Sequence, residues 1–156
     1  MTSKNQLQSK IQELEVELQS FKKQLNNYKE ITIETAKVGD VLGDGSIVLK
    51  KENGLALLVA PISTEVASTW SLEFPEVFQK LQEQGFTPSQ WFVPTKEQLQ
   101  LACNTIPEHF PSFVYWSSTE YSSSSAWFVY FSSGAYRSNK SNSGYVRVRA
   151  FRCVTY

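Results

Sequence analysis

Residues 115–145 read YWSSTEYSSSSAWFVYFSSGAYRSNKSNSGY, and the interpretation of this stretch decides the fold. From Ser117 to Tyr145 it holds eleven serines and seven aromatics but only three charges, a composition that low-complexity disorder would also show. Alternation argues against disorder. Trp127, Val129 and Phe131 fall on one face of a strand, and Phe128, Tyr130 and Ser132 on the other. The first face, with Trp116, Val146 and Val148, is expected in the core, leaving Tyr121, Tyr130 and Tyr136 exposed. Tyr and Ser together are what adaptable recognition surfaces favour: Tyr offers a large contact at modest entropy cost, and Ser offers adaptable polar contacts.

The flanking segments supply the rest of a small mixed domain. Phe113–Trp116, Ala126–Phe131 and Tyr145–Val154 read as strands. Upstream, Thr95 and Gln98 fit a capping box opening a helix through Asn104, with Leu99, Ala102, Cys103 and Ile106 inward. Leu72–Glu83 reads as a second helix, with Pro75 in its first turn, Phe74, Val77, Phe78 and Leu81 along one face, and Gly85 as its stop. Ser46–Leu49 and Leu55–Ala60 read as strands joined at Asn53-Gly54. Short antiparallel strands with two helices on one side make the class α+β.

The first 33 residues are different. Leu7, Ile11, Leu14, Leu18, Phe21, Leu25 and Tyr28 alternate in steps of four and three, placing Ile11, Leu18 and Leu25 at a and the others at d. Lys10 and Glu17 fall at g, Glu15 and Lys22 at e, so parallel neighbours would pair them attractively. Residues 1–33 are therefore expected to form a coiled-coil homo-oligomer, with bulky d residues favouring a trimer over a dimer, and residues 34–156 the attached domain. A single amphipathic helix lying on its own domain is the alternative, though its apolar stripe would usually be broader.

Fifteen basic and fifteen acidic side chains cancel, which argues against a nucleic-acid footprint. The N-terminus has charges every few residues and no apolar run, so neither a secretory signal nor membrane insertion is expected. The cytoplasm, or release as part of a larger particle such as a virion, is the expected location. Cys103 and Cys153 are too far apart in sequence for a metal motif; a bridge or free thiols both fit them.

Several pieces carry a family resemblance: Val38-Gly39-Asp40, GLALLVAP at 54–61, Trp70, FVPTKEQL at 92–99, YWSSTE at 115–120, Ala126-Trp127, Phe131, Gly134, Lys140 and YVRVRAFRC at 145–153. In this order they resemble the C-type-lectin-like domains of the bacterial and phage family typified by the C-terminal domain of a collagen-like adhesin. The resemblance implies that Trp116–Glu120, Trp127 and Val146–Arg152 are framework. The stretch of about 116–152 also resembles the variable region of diversity-generating retroelement target proteins, which vary codons over a lectin-like scaffold.

The resemblance implies a noncatalytic ligand-binding surface made of Tyr121, Ser122, Ser123, Ser124, Ser125, Phe128, Tyr130, Ser132, Ser133, Ala135, Tyr136, Ser138, Asn139, Ser141, Asn142 and Ser143. Its partner would be a protein or glycan, engaged without cofactor. Calcium-dependent lectins need converging carboxylates, and Glu120 is the only one after Glu108. A formylglycine-generating-like oxidase would need metal ligands or a reactive Cys pair; His109 is the sole histidine and reads as a helix-end residue. A fixed structural module of the same fold is the remaining alternative.

Overall fold

The computed structural model describes residues 3–27, 31–111, 114–142 and 146–156. The chain divides into two units, Met1–Glu30 and Ile31–Tyr156. In the first, helix α1 spans Lys4–Asn27. Ser3 and Gln6 cap it reciprocally: the Gln6 amide donates to Ser3 Oγ at 3.3 Å, and the Ser3 amide to Gln6 Oε1 at 2.8 Å. The a and d residues Leu7, Ile11, Leu14, Leu18, Phe21 and Leu25 are all exposed, from 51% at Leu14 to 71% at Leu25. Tyr28, the last expected d residue, lies outside the described residues.

The second unit is a mixed α+β domain. Strands β1 (Ile47–Glu52) and β2 (Leu55–Val59) form a hairpin in which Glu52 pairs with Leu55. Its two loop residues, Asn53 and Gly54, both take positive φ (51° and 76°), the conformation that matches the twist of the flanking strands. The short β3 is Val66–Ala67. Helix α2 spans Pro75–Glu83, starting three residues later than expected. Phe74 just before it is in the left-handed region, and its amide is taken by Ser71 Oγ at 2.8 Å. Helix α3 spans Lys96–Thr105 behind a complete Thr95/Gln98 capping box.

The remaining strands are β4 (Val114–Glu120), β5 (Ser125–Tyr130), β6 (Gly134–Asn139), β7 (Arg147–Val148) and β8 (Phe151–Thr155). They build a three-stranded sheet, ordered β1-β2-β8, and a five-stranded sheet, ordered β3-β7-β4-β5-β6. Every pairing is antiparallel except β4 with β7. The single strand expected at 145–154 is two. β7 belongs to one sheet and β8 to the other, and the buried Arg149 lies between them. Of that expected strand Tyr145 lies outside the described residues, as does Phe113 at the start of another.

The expectation of both helices on one side does not hold. Phe74, Val77 and Leu81 of α2 share a core cluster with Trp70, Trp91, Trp116, Ala126 and Val148. Leu99 and Ala102 of α3 share another with Ile47, Leu49, Tyr115, Val129 and Phe151. Tyr115 and Trp116 are successive residues of β4 pointing to opposite faces, and both are fully buried. The five-stranded sheet therefore needs a cover on each face, one helix apiece.

This arrangement corrects part of the expected core. Trp116, Val129, Val146 and Val148 are buried as expected, but Trp127 and Phe131 are only half-buried. Phe128, expected on the outside, packs edge-on against Trp116 with ring centres 6.0 Å apart. Lys51 holds the segment entering the domain: its ammonium donates to the carbonyls of Ile33 (2.7 Å), Ala36 (3.0 Å) and Glu34 (3.3 Å).

Candidate functional site

Two consecutive hairpins, β4–β5 and β5–β6, carry most of the Ser/Tyr-rich stretch. The serine run between β4 and β5 is an ordered turn. Tyr121 and Ser122 both donate their amides to the Ser125 carbonyl at 3.0 Å. Ser122 Oγ accepts from the amides of Ser124 (3.3 Å) and Ser125 (3.1 Å), the local side-chain bonding that serine favours in turns. The β5–β6 turn closes through Ser133 N to the Tyr130 carbonyl at 3.0 Å. After β6, Asn139 Oδ1 accepts from Ser141 N (2.9 Å) and Oγ (2.7 Å), and Asn142 Nδ2 donates to Ser138 Oγ at 3.2 Å.

Lys140 ties these turns to the body. Its ammonium donates to Glu120 Oε2 at 2.8 Å and to the Ser123 carbonyl at 3.2 Å, and lies 4.4 Å from the centre of the Trp70 ring. Its own amide donates to the Ser124 carbonyl, and its carbonyl accepts from the Trp70 amide. Trp70 Nε1 in turn donates to the Ser117 carbonyl at 2.8 Å.

Of the expected binding residues, Tyr121, Ser122, Ser123, Ser124, Ser132, Ser133, Tyr136, Asn139, Ser141 and Asn142 are exposed. Ser125, Phe128, Tyr130, Ala135 and Ser138 are half-buried, and Ser143 lies outside the described residues. They do not all share one face. Trp127 pairs with Arg137 and Phe128 with Tyr136, so successive positions point to opposite sides of the hairpin. On the α3 side, Tyr121 stands edge-on to Trp127 with ring centres 6.0 Å apart. On the other side the Phe128 and Tyr136 rings are 6.1 Å apart.

Three residues outside the expected set belong to the α3-side patch. Arg137 places its guanidinium carbon 4.1 Å from the Tyr121 ring centre and 5.7 Å from that of Trp127. Lys96, at the start of α3, holds its ammonium 4.2 Å from the same Trp127 ring, a favourable cation–aromatic distance. Trp127 is thus a half-buried platform for two cations. The strand pairing of Trp127 with Arg137 was legible in principle as an aromatic and a cation ten residues apart across a turn; nothing local marks Lys96. Beside the patch, Lys96, Glu97, Gln100, Leu101, Asn104 and Ala135 line a groove of about 390 Å³. A wider hollow of about 720 Å³, lined by residues including Asp44, Gln84, Phe86, Gln90 and Arg152, contains none of the Ser/Tyr residues.

Both cysteines are free thiols: Cys103 donates to the Phe131 carbonyl at 3.4 Å, and burial pushes its pKa up, whereas Cys153 is exposed. His109 ends a short 3-10 turn, half-buried, with its carbonyl accepting from Arg149. Among the described residues no group of three or more His, Cys, Asp or Glu is placed to hold a metal, and no helix is long and apolar enough to cross a membrane. No family model matches the chain, and no curated protein matches it.

Proposed function

We propose that the chain is a noncatalytic binding protein in which a C-type-lectin-like domain displays a diversifiable Tyr/Ser-rich surface. One observation carries this reading: along the β4–β5–β6 hairpins, most of the expected display residues are separate from the buried framework, Phe128 and Ala135 being the ones that pack against it. Trp116, Ala126 and Val129 are fully buried, while Tyr121, Ser122–Ser124, Ser132, Ser133, Tyr136 and Asn139 are exposed. Changing the exposed set leaves the packed interior intact, which is what a scaffold for variable recognition requires. The resemblance to retroelement targets points the same way, and a receptor-binding or host-attachment role suits it. The ligand is a protein or glycan on another cell, with aromatics supplying most of the contact energy and hydroxyls fixing orientation.

A variant with Tyr121, Tyr130 and Tyr136 all changed to Ala should bind host-surface material at least about 30-fold more weakly, the equivalent of roughly 2 kcal/mol lost at interface hot spots. Surface plasmon resonance on captured membranes measures it, with thermal melting to show that the variant is folded. Equal binding by a folded variant refutes the assignment.

The exposed heptad stripe of α1 supports parallel self-assembly, which would present several copies of the surface and raise avidity. Light scattering should find the intact chain oligomeric and a chain beginning at Thr35 monomeric. A monomeric intact chain would remove the multivalent part of the proposal.

A further inference from the structure

We propose that the ligand presents an acidic protein segment, and that one of its carboxylates docks on Arg137 and Lys96 beside Trp127. The inference rests on reading the hairpins as a display surface and adds the chemistry of what they meet.

The cations of this region are not equivalent. Lys140 is held by Glu120 at 2.8 Å, and Arg149 is buried against Glu65. Among the described residues no ion pair engages Arg137. It is exposed, and its guanidinium lies against the Tyr121 and Trp127 rings. Ring contacts orient a guanidinium without consuming its five N–H donors, so the fork remains available for a carboxylate, the partner it fits in bidentate fashion. Lys96 is similarly under-used. Its nearest carboxylate is Glu97, 3.7 Å away on a side chain that is 72% exposed, a distance longer than a hydrogen bond. Both cations lie against the same indole ring, Lys96 4.2 Å and Arg137 5.7 Å from its centre.

The same geometry separates a peptide from other anions. The Lys96 ammonium already lies over the Trp127 ring, which is the platform a sugar or nucleobase would stack on. The adjoining groove offers the apolar Leu101 and Ala135 and the amides of Gln100 and Asn104, suited to neutral side chains and peptide groups. Glu97 also lines that groove, so the ligand's acid belongs at Arg137 and Lys96 beside Trp127, and its neutral residues along Gln100, Leu101, Asn104 and Ala135.

The test uses the full chain with decaglutamate, decaserine and an oligothymidylate as probes. Decaglutamate should shift the Trp127 indole N–H and Arg137 Nε–H resonances, weaken as salt is added, and bind about tenfold more weakly to Arg137→Gln and to Lys96→Gln. Decaserine should do neither. Decaglutamate binding that bypasses these two resonances, equal affinity for the Arg137→Gln chain, or a preference for oligothymidylate would each overturn the inference. Capture of host-surface material separates the two levels. If the triple Tyr variant loses capture while Arg137→Gln and Lys96→Gln keep it, the acidic-segment inference falls and the display surface stands. If none of the three loses it, both fall; if all do, both are supported.

Discussion

Replacing Glu65 with Ala should destabilise the domain by about 3–5 kcal/mol, because it strands a buried guanidinium. Arg149 is 1% exposed and Glu65 6% exposed. Arg149 Nε donates to the Ala60 carbonyl at 2.7 Å, and its Nη1 reaches Glu65 Oε1 at 3.4 Å and the His109 carbonyl. Tyr115 Oη donates to the same Glu65 oxygen at 2.6 Å. Removing the carboxylate leaves both Arg149 and the fully buried Tyr115 hydroxyl short of this acceptor. Glu65→Gln keeps an acceptor for Tyr115 and should cost less. Urea denaturation followed by tryptophan fluorescence measures both; a change under about 1 kcal/mol for Glu65→Ala would mean that water rescues Arg149.

The pH dependence of this pair has an unusual sign. Burial pushes the Glu65 carboxyl above its ordinary 4.5, although the Tyr115 hydroxyl and the Arg149 charge pull it down. Burial lowers the Arg149 value, yet a guanidinium remains charged at neutral pH. A raised carboxyl means that the folded chain binds a proton more readily than the unfolded one. The part of the stability linked to this raised proton affinity is therefore complete below 4.5 and is lost as pH rises through the folded value, while the pairing of the ionised carboxylate with Arg149 remains. Relative to Glu65→Gln, the natural chain should gain stability as pH falls toward 4.5.

Trp116→Ala should cost about 3–5 kcal/mol, the range for emptying a fully packed aromatic site. Trp116 has no exposed surface, packs edge-on against Phe128, and donates Nε1 to the Ser68 carbonyl at 3.0 Å. The deletion opens a void in the cluster under α2 and leaves that carbonyl without its donor. Trp127→Ala, made eleven residues away on the next strand, should cost clearly less, since its ring is half-buried and faces two cationic side chains. Chemical denaturation of the two variants side by side checks the order, and equal losses would mean that Trp127 is packed like core.

These contrasts show where sequence patterns carried information. The Thr95/Gln98 box, the Asn53-Gly54 turn, Pro75 and Gly85 act within a few residues, so their chemistry could be read locally. Strand β6 was not anticipated, because Gly-Ala-Tyr-Arg-Ser-Asn lies at a sheet edge and has no apolar alternation. Alternation along β5 assigned faces correctly in kind, but both faces of that sheet are covered near its centre, so face did not predict burial. Arg149 gave no local sign of being interior. Its partners Ala60 and Glu65 lie 89 and 84 residues away. The candidate site shows the same limit: the Ser/Tyr composition marked the hairpins, while the Lys96 contact with Trp127 depends on tertiary packing alone.

The passage of one segment from β7 into β8 also sets a timetable for folding. Without β8, β2 lacks a neighbour; without β7, β3 has no link to β4. The five-stranded sheet cannot be finished until residue 148 has emerged from the ribosome, nor the three-stranded sheet until residue 155, whereas the β4–β5 and β5–β6 hairpins can close as soon as they are made. The Ser/Tyr-rich loops are thus synthesised, and their turns formed, before the body that will hold them is locked. Changes confined to those loops leave the final, long-range closure step to residues 146–155, which are not among them.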